Sequence, residues 1–343
     1  MLLYFYKELI TINEIKNKRK HLLLYFIIIA ILVVLVIIFL KRGPVLYYLA
    51  KNNLNMDAEL LEDETLLGFN DISGEGIYIN FNDGTDLIHQ EDLIILIDEL
   101  KNAGAQAISV NEQRIIDSSY IYCDGTVILI DGTKIGTPFS IKAIGNSEVL
   151  YNALNRNKGY ISILKNDGIS IELVESDNIK IGKTNKSIIN SYTNLNKLDR
   201  LVAYQKIVGK SDVYGSGITI TIDTSKTSDI TAINLLQLLN DLKAAGASAI
   251  SINDNRILNM TDIMDINKQY ILVDSNCVSS PYEIKALGNI DDLTSGMELK
   301  NSTISKLKSA GISVEIDSSK LFRIDKYTVK RGQSKLLYNY INN

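Results

Sequence analysis

The feature that most constrains this chain is that most of it is written twice. GEGIYI at Gly74–Ile79 returns as GSGITI at Gly215–Ile220, 141 positions later. LKNAGAQAI at Leu100–Ile108 returns as LKAAGASAI at Leu242–Ile250, and SVNEQRI at Ser109–Ile115 as SINDNRI at Ser251–Ile257, both 142 positions on. TPFSIKAIGN at Thr137–Asn146 matches SPYEIKALGN at Ser280–Asn289, and LKNDGISIEL at Leu164–Leu173 matches LKSAGISVEI at Leu307–Ile316, both at 143. A spacing that drifts by single residues marks a tandem duplication. A period this long means two domains in a row, not a solenoid of short repeats.

Within one unit, Gly76–Phe81 alternates apolar and polar positions and reads as a strand. Gln90–Asn102 carries Leu93, Leu96, Ile97 and Leu100 at helical spacing, repeated by Leu235, Leu238, Leu239 and Leu242. Gly104 and Gly246 stand where a left-handed helix cap is wanted. The runs Ala107–Val110 and Ala249–Ile252 follow as strands, so a right-handed parallel crossover is expected. Further extended pieces are predicted near Thr126–Ile130 and Phe139–Ile144, and Pro138 and Pro281 keep their predecessors extended. A helix over Ser147–Asn166, broken near Gly159, leads to a last strand at Ile169–Val174. The expected fold is α/β (α+β). It has two tandem homologous domains, each a mixed sheet with helices on one face in a ferredoxin-like split β-α-β order.

Ahead of the repeats, Leu22–Leu40 contains 19 residues without a charge or strongly polar group. As a helix it would cover about 28 Å, close to the hydrocarbon thickness of a bilayer. Lys16, Lys18, Arg19 and Lys20 precede it, and only Lys41 and Arg42 closely follow. The positive-inside rule then puts the amino end in the cytoplasm and the bulk outside. The apolar run is longer than the core of a cleaved signal peptide, so an uncleaved single-pass signal anchor in the cell membrane is expected. The resulting organisation is 1–21 cytoplasmic, 22–40 transmembrane and 41–67 a helical stalk. The first repeat domain follows at 68–182, a helical connector at 183–208, the second repeat domain at 209–326 and a basic tail at 327–343.

Charge and composition narrow the chemistry. Residues 1–42 hold seven Lys/Arg and two Asp/Glu, and the whole chain is net −4, so the outer part is strongly acidic. Such a surface is a poor partner for nucleic acid. Two cysteines and two histidines leave little for a disulfide framework, a zinc site or a triad. Cys123 and Cys277 are not equivalent in the two copies and are expected unpaired. His89 has no counterpart, which makes it a weak general base. No acid pair of the kind glycoside cleavage needs stands out in both copies. No catalytic residue, metal or cofactor is expected.

Repeated polar residues are the candidate ligand-binding positions. Arg114 and Arg256 offer a guanidinium suited to a carboxylate or phosphate, or to an internal pair with an acid such as Asp124 or Asp265. Lys142 and Lys285 sit in an extended IKA, as anion ligands or as lysines protecting a sheet edge. Asn111 and Asn253 follow a strand, where asparagine suits turn geometry.

The blocks GSGITITID, DLKAAGASAISINDNRI and SPYEIKALGN, with their first-copy counterparts, resemble the YlxW/YlxX-like family of bacteria, a domain of unknown function (DUF881). The first copy departs mildly, with Asn82 against Asp223 and Phe139-Ser140 against Tyr282-Glu283. The resemblance implies a membrane-anchored extracytoplasmic protein in a cell-division or envelope setting, and it implies no enzymatic activity. The reading that follows is a noncatalytic interaction or scaffold protein, with envelope or division proteins as partners and possible self-association. The alternatives are a module binding a small ligand or cell-wall fragment, and then an envelope hydrolase.

Overall fold

The computed structural model describes residues 28, 29, 31, 32 and 55–328, apart from 83–87, 126, 185–190, 193, 225–229 and 267–269. The chain divides into two compact units, residues 1–59 and 60–343. In the first, every described residue is helical. The expected membrane span at 22–40 lies outside the described residues except for Ile28, Ile29, Ile31 and Leu32, as do most of the stalk and the tail beyond 328. No helix among the described residues is long and apolar enough to cross a membrane.

Both repeats lie in the second unit, each introduced by a helix: α1 (residues 55–66) and, after the first repeat, α5 (Lys197–Ile207). The first repeat runs β1 (Ile72–Phe81), α2 (Gln90–Asn102), β2 (Ala107–Val110), β3 (Gln113–Arg114), β4 (Ile121–Cys123), β5 (Ile128–Ile130), β6 (Thr133–Ile135), β7 (Ser140–Ile144), α3 (Ser147–Leu154), α4 (Tyr160–Asn166) and β8 (Ile171–Ile181). The second repeats this order as β9 (Val213–Asp223), α6 (Ala232–Ala244), β10 (Ala249–Ile252), β11 (Asn255–Ile257), β12 (Ile263–Asp265), β13 (Ile271–Val273), β14 (Asn276–Val278), β15 (Tyr282–Leu287), α7 (Ile290–Met297), α8 (Thr303–Ser309) and β16 (Ser313–Ile324).

Periodicity explains the core. Ile77, Ile79 and Phe81 turn one face of β1 inward, where they meet Leu93, Leu96 and Leu100 of α2, all essentially inaccessible to solvent. Gly104, at φ +86°, lets the chain leave α2 and enter β2 directly. Gly76 has a different task. A Cβ there would stand 2.0 Å from the Ala143 carbonyl oxygen of β7, and Gly217 meets Ala286 in the same way.

The first sheet has the order β3-β2-β7-β1-β8, and the second follows the same plan as β11-β10-β15-β9-β16. This is the split β-α-β arrangement, but the expectation of a mixed sheet is corrected, because the recorded pairings are antiparallel throughout. Helix α2 carries the chain past one strand position, and β7 returns to fill that slot between β1 and β2. The two strands of the crossover therefore never touch, and no parallel ladder forms.

Between β3 and β7 sits a three-stranded meander, β4-β5-β6, matched by β12-β13-β14. The sequence gives one extended piece here and the structure gives three. The strands are three residues long, too short for alternation to register, and they are joined by tight turns such as Asp131-Gly132, both at positive φ.

Candidate functional site

Register sets the repeated polar residues in one row across each sheet. Arg114 of β3 pairs with Ser109 of β2, Ser109 with Lys142 of β7, and Lys142 with Tyr78 of β1. The second copy aligns Arg256, Ser251, Lys285 and Thr219. The inward apolar positions flank these residues, so the row lies on the face of the sheet turned away from α2 and α6. β7 and β15 are interior strands, so Lys142 and Lys285 do not protect an edge. Lys142 pairs instead with Glu112. Lys285 reaches Glu283 at 2.6 Å and Asp254 at 2.9 Å. The hydrogen bond to Glu283 is the largest cause holding its ammonium above the ordinary lysine range.

Asn111 and Asn253 are turn residues. Asn111-Glu112 and Asn253-Asp254 all have φ between 43° and 64°, the two-residue hairpin geometry that favours asparagine. The Asn111 side chain also accepts from the Ser140 N–H (2.7 Å) and donates to the Gly136 carbonyl (2.7 Å). Asn253 accepts from the Glu283 N–H (2.9 Å) and donates to the Pro281 carbonyl (3.2 Å). Each asparagine ties the β2–β3 or β10–β11 turn to the start of the central strand.

The two arginines are almost completely buried, at 5% and 4% exposed. Of the acids named as internal partners, Asp265 accepts from the Ala232 N–H (2.8 Å). Arg256 donates through Nη2 to the Lys206 carbonyl of α5 (3.0 Å), while its Nε and Nη1 have no hydrogen-bond partner among the described residues. Burial lowers its pKa, against the attraction of Asp117 from the other repeat. Beside it a cavity of about 570 Å³ opens between α5 and the outer face of the second sheet.

A second cluster escaped the sequence reading. The repeats meet through α2 and α6 and the two meanders, and the contacts are reciprocal. Asn240 accepts from the Ile121 N–H (2.7 Å) and donates to the Ile121 carbonyl (2.8 Å). Asp98, the residue equivalent to Asn240, accepts from the N–H of Ile263, the equivalent of Ile121 (3.1 Å). A cavity of about 70 Å³, room for about two waters, sits at this junction. Equivalent pairs line it: Ile97 with Leu239, Asp98 with Asn240, Lys101 with Lys243. This is the pattern of a twofold interface, made within one chain. Burial pushes the Asp98 carboxyl up to about 7, against the pull of Lys101 and the Ile263 N–H. Burial and the neighbouring Lys243 charge bring Lys101 down to about 8. The only sequence signal for Asp98 was its place on the buried side of α2, beside Ile97.

Other candidates have structural places. His89 stands at the N-cap of α2, where its backbone N–H donates to the Asp92 carboxylate (2.6 Å). Both cysteines are free thiols, Cys277 exposed and Cys123 half-buried. Among the described residues, no group of three or more His, Cys, Asp or Glu could hold a metal ion.

Comparison with known proteins places the repeats. The model of a bacterial protein family of unknown function, DUF881, matches residues 59–194 and again 200–337. UPF0749 protein YlxW of Bacillus subtilis is 32% identical over 120 residues, covering 32% of this chain and 52% of that protein. UPF0749 protein YlxX of the same organism is 28% identical over 171 residues, covering 46% of this chain and 66% of that protein. The chain thus spans about half to two thirds of the length of these curated relatives. An uncharacterized conserved protein from Mycobacterium tuberculosis, solved by crystallography, aligns over 39% of this chain and 96% of its own, with 27% identity and a TM-score of 0.36. The chain belongs to the DUF881 family, of unknown function, and carries its domain twice in tandem.

Proposed function

We propose that this protein is a noncatalytic, membrane-anchored interaction module that holds a rigid pair of domains outside the cell, as a scaffold in envelope assembly or division. The observation that carries the reading is where the repeated polar residues are used. Asn111 and Asn253 brace turns, Lys142 and Lys285 close ion pairs on the sheet face, and Asp98 and Asn240 join the repeats. These residues at equivalent positions of the two copies are thus engaged in building one body, and a body of this kind suits binding. The anchor rests on the uncharged run 22–40 and its flanking lysines. The division or envelope setting rests on the family resemblance in the sequence motifs.

Two measurements test it. Cys277 is exposed, so a membrane-impermeant maleimide should label the full-length protein in intact cells. Labelling only after lysis would overturn the orientation. In-cell cross-linking of the tagged chain should recover envelope or division proteins. Recovery of the chain alone would overturn the scaffold role.

A further inference from the structure

The cavity behind the second sheet has a construction that the joining of the repeats does not explain. Its floor is apolar, formed by Ala249 and Leu287 of adjacent strands and by Gly215. Its wall is α5, with Val202, Ala203 and Lys206 turned toward it. Arg256 stands in its lining, with Nε and Nη1 lacking a hydrogen-bond partner among the described residues. A buried guanidinium in that condition is costly, because each unmet donor forfeits its hydration without replacement. Lys206 is exposed, and no ion pair to it is formed among the described residues. Two cationic side chains therefore border one concavity of ordinary ligand size.

The two copies differ at this place in a directed way. The first copy has Glu75 and Gln106 where the second has Ser216 and Ser248, and both serines line the cavity. Two long side chains, one of them anionic, are replaced by two short neutral ones. The exchange opens volume and removes a negative charge from the cavity lining. Each serine hydroxyl already donates to a carbonyl, Ser216 to Gly288 and Ser248 to Leu287, both at 3.1 Å. Their free lone pairs can then accept from a ligand hydroxyl or amine. The acids that line the cavity are occupied, since Asp212 is paired with Arg323 at 3.0 Å and Asp199 accepts from Asn196 at 2.6 Å.

We infer that the cavity between α5 and the outer face of the second sheet binds a small organic oxyanion. A carboxylate or phosphate head is held by Arg256 and Lys206, and the carbon body lies over Ala249 and Leu287. Guanidinium suits both heads, because its fork matches either in bidentate geometry. The site lies in the second repeat, and it stands whether or not the scaffold reading holds.

The test is calorimetric titration of the full-length protein in detergent with benzoate, phenyl phosphate and inorganic phosphate, and with benzamide as the neutral counterpart of benzoate. Binding of benzoate or phenyl phosphate, with benzamide at least tenfold weaker, is the expected result. Preference for phenyl phosphate over benzoate identifies a phosphate ester as the ligand class, and the reverse identifies a carboxylate. The double variant Ser216→Glu, Ser248→Gln restores the first-copy residues, so it should fold and lose binding at least tenfold. Lys206→Ala, at an exposed position, should weaken binding severalfold with unchanged melting of the unliganded protein. Inorganic phosphate binding as tightly as phenyl phosphate, undiminished binding in the double variant, or no heat from any probe would each overturn the proposal.

Discussion

Asp98 and Asn240 occupy equivalent seats, yet only one of them can carry a charge. Asn240 serves both the N–H and the carbonyl of Ile121, whereas an ionised Asp98 can only accept from Ile263. Its folded pKa of about 7 lies above the ordinary 3.8, so the folded state holds this proton more tightly than the unfolded chain. The sign follows from linkage: the associated stability is present below about pH 4 and is lost as pH rises toward 7. Asp98→Asn should therefore melt higher at pH 8 and show a flatter pH dependence of melting between pH 4 and 7. A gain of about 1–3 kcal/mol is expected, the usual cost of a poorly satisfied buried polar group. Asp117 and Asp262 remain to support Lys101 in that variant. Asn240→Ala should cost about 2–4 kcal/mol in urea unfolding, because it strands both backbone groups of buried Ile121. These two residues were legible as positions on a helix but not as partners. Nothing in the local pattern of α2 says what will face it.

The elements separate into those that announce themselves and those that do not. Helix α2 was readable to its last residue, since four apolar positions at helical spacing and a closing glycine leave one solution. The split β-α-β order along the chain was readable too, although the sheet it builds has five strands and is antiparallel. The meanders were not, although their strands carry contacts between the repeats. Their three-residue strands are specified by what they pack against. Lys142 misled for a related reason: an exposed-looking lysine suggests an edge, but edges are decided by the neighbours of a strand. Glycine tests the strand pairing directly. Gly76→Ala should cost at least about 3 kcal/mol, beyond ordinary overpacking, since its Cβ would collide with the Ala143 carbonyl. Gly136→Ala meets nothing within 4 Å and should stay within about 0.5 kcal/mol of wild type in the same denaturation assay.

At the scale of the whole molecule, the junction has twofold character although the chain supplies both halves. A half taken alone would leave Ile94, Ile97 or Leu236, Leu239 facing water. Residues 196–328, expressed alone, should therefore pair with a second copy of themselves. In that pair each Asn240 would bond the partner backbone at Ile263 as it bonds Ile121 in the intact chain. Light scattering should give the mass of a dimer, and a monomer at micromolar concentration would refute the twofold account. The same segment carrying Asn240→Ala should dissociate at least tenfold more readily.

Covalent linkage of such a pair has a further consequence. In an assembly of identical subunits, a mutation near the symmetry axis appears on both sides at once and must suit itself. In this chain each side mutates separately. One carboxylate can face one amide, and one copy can hollow out a wall that the other keeps filled. Duplication within one reading frame thus turned a constraint into two independent choices, at the price of never again being able to exchange partners.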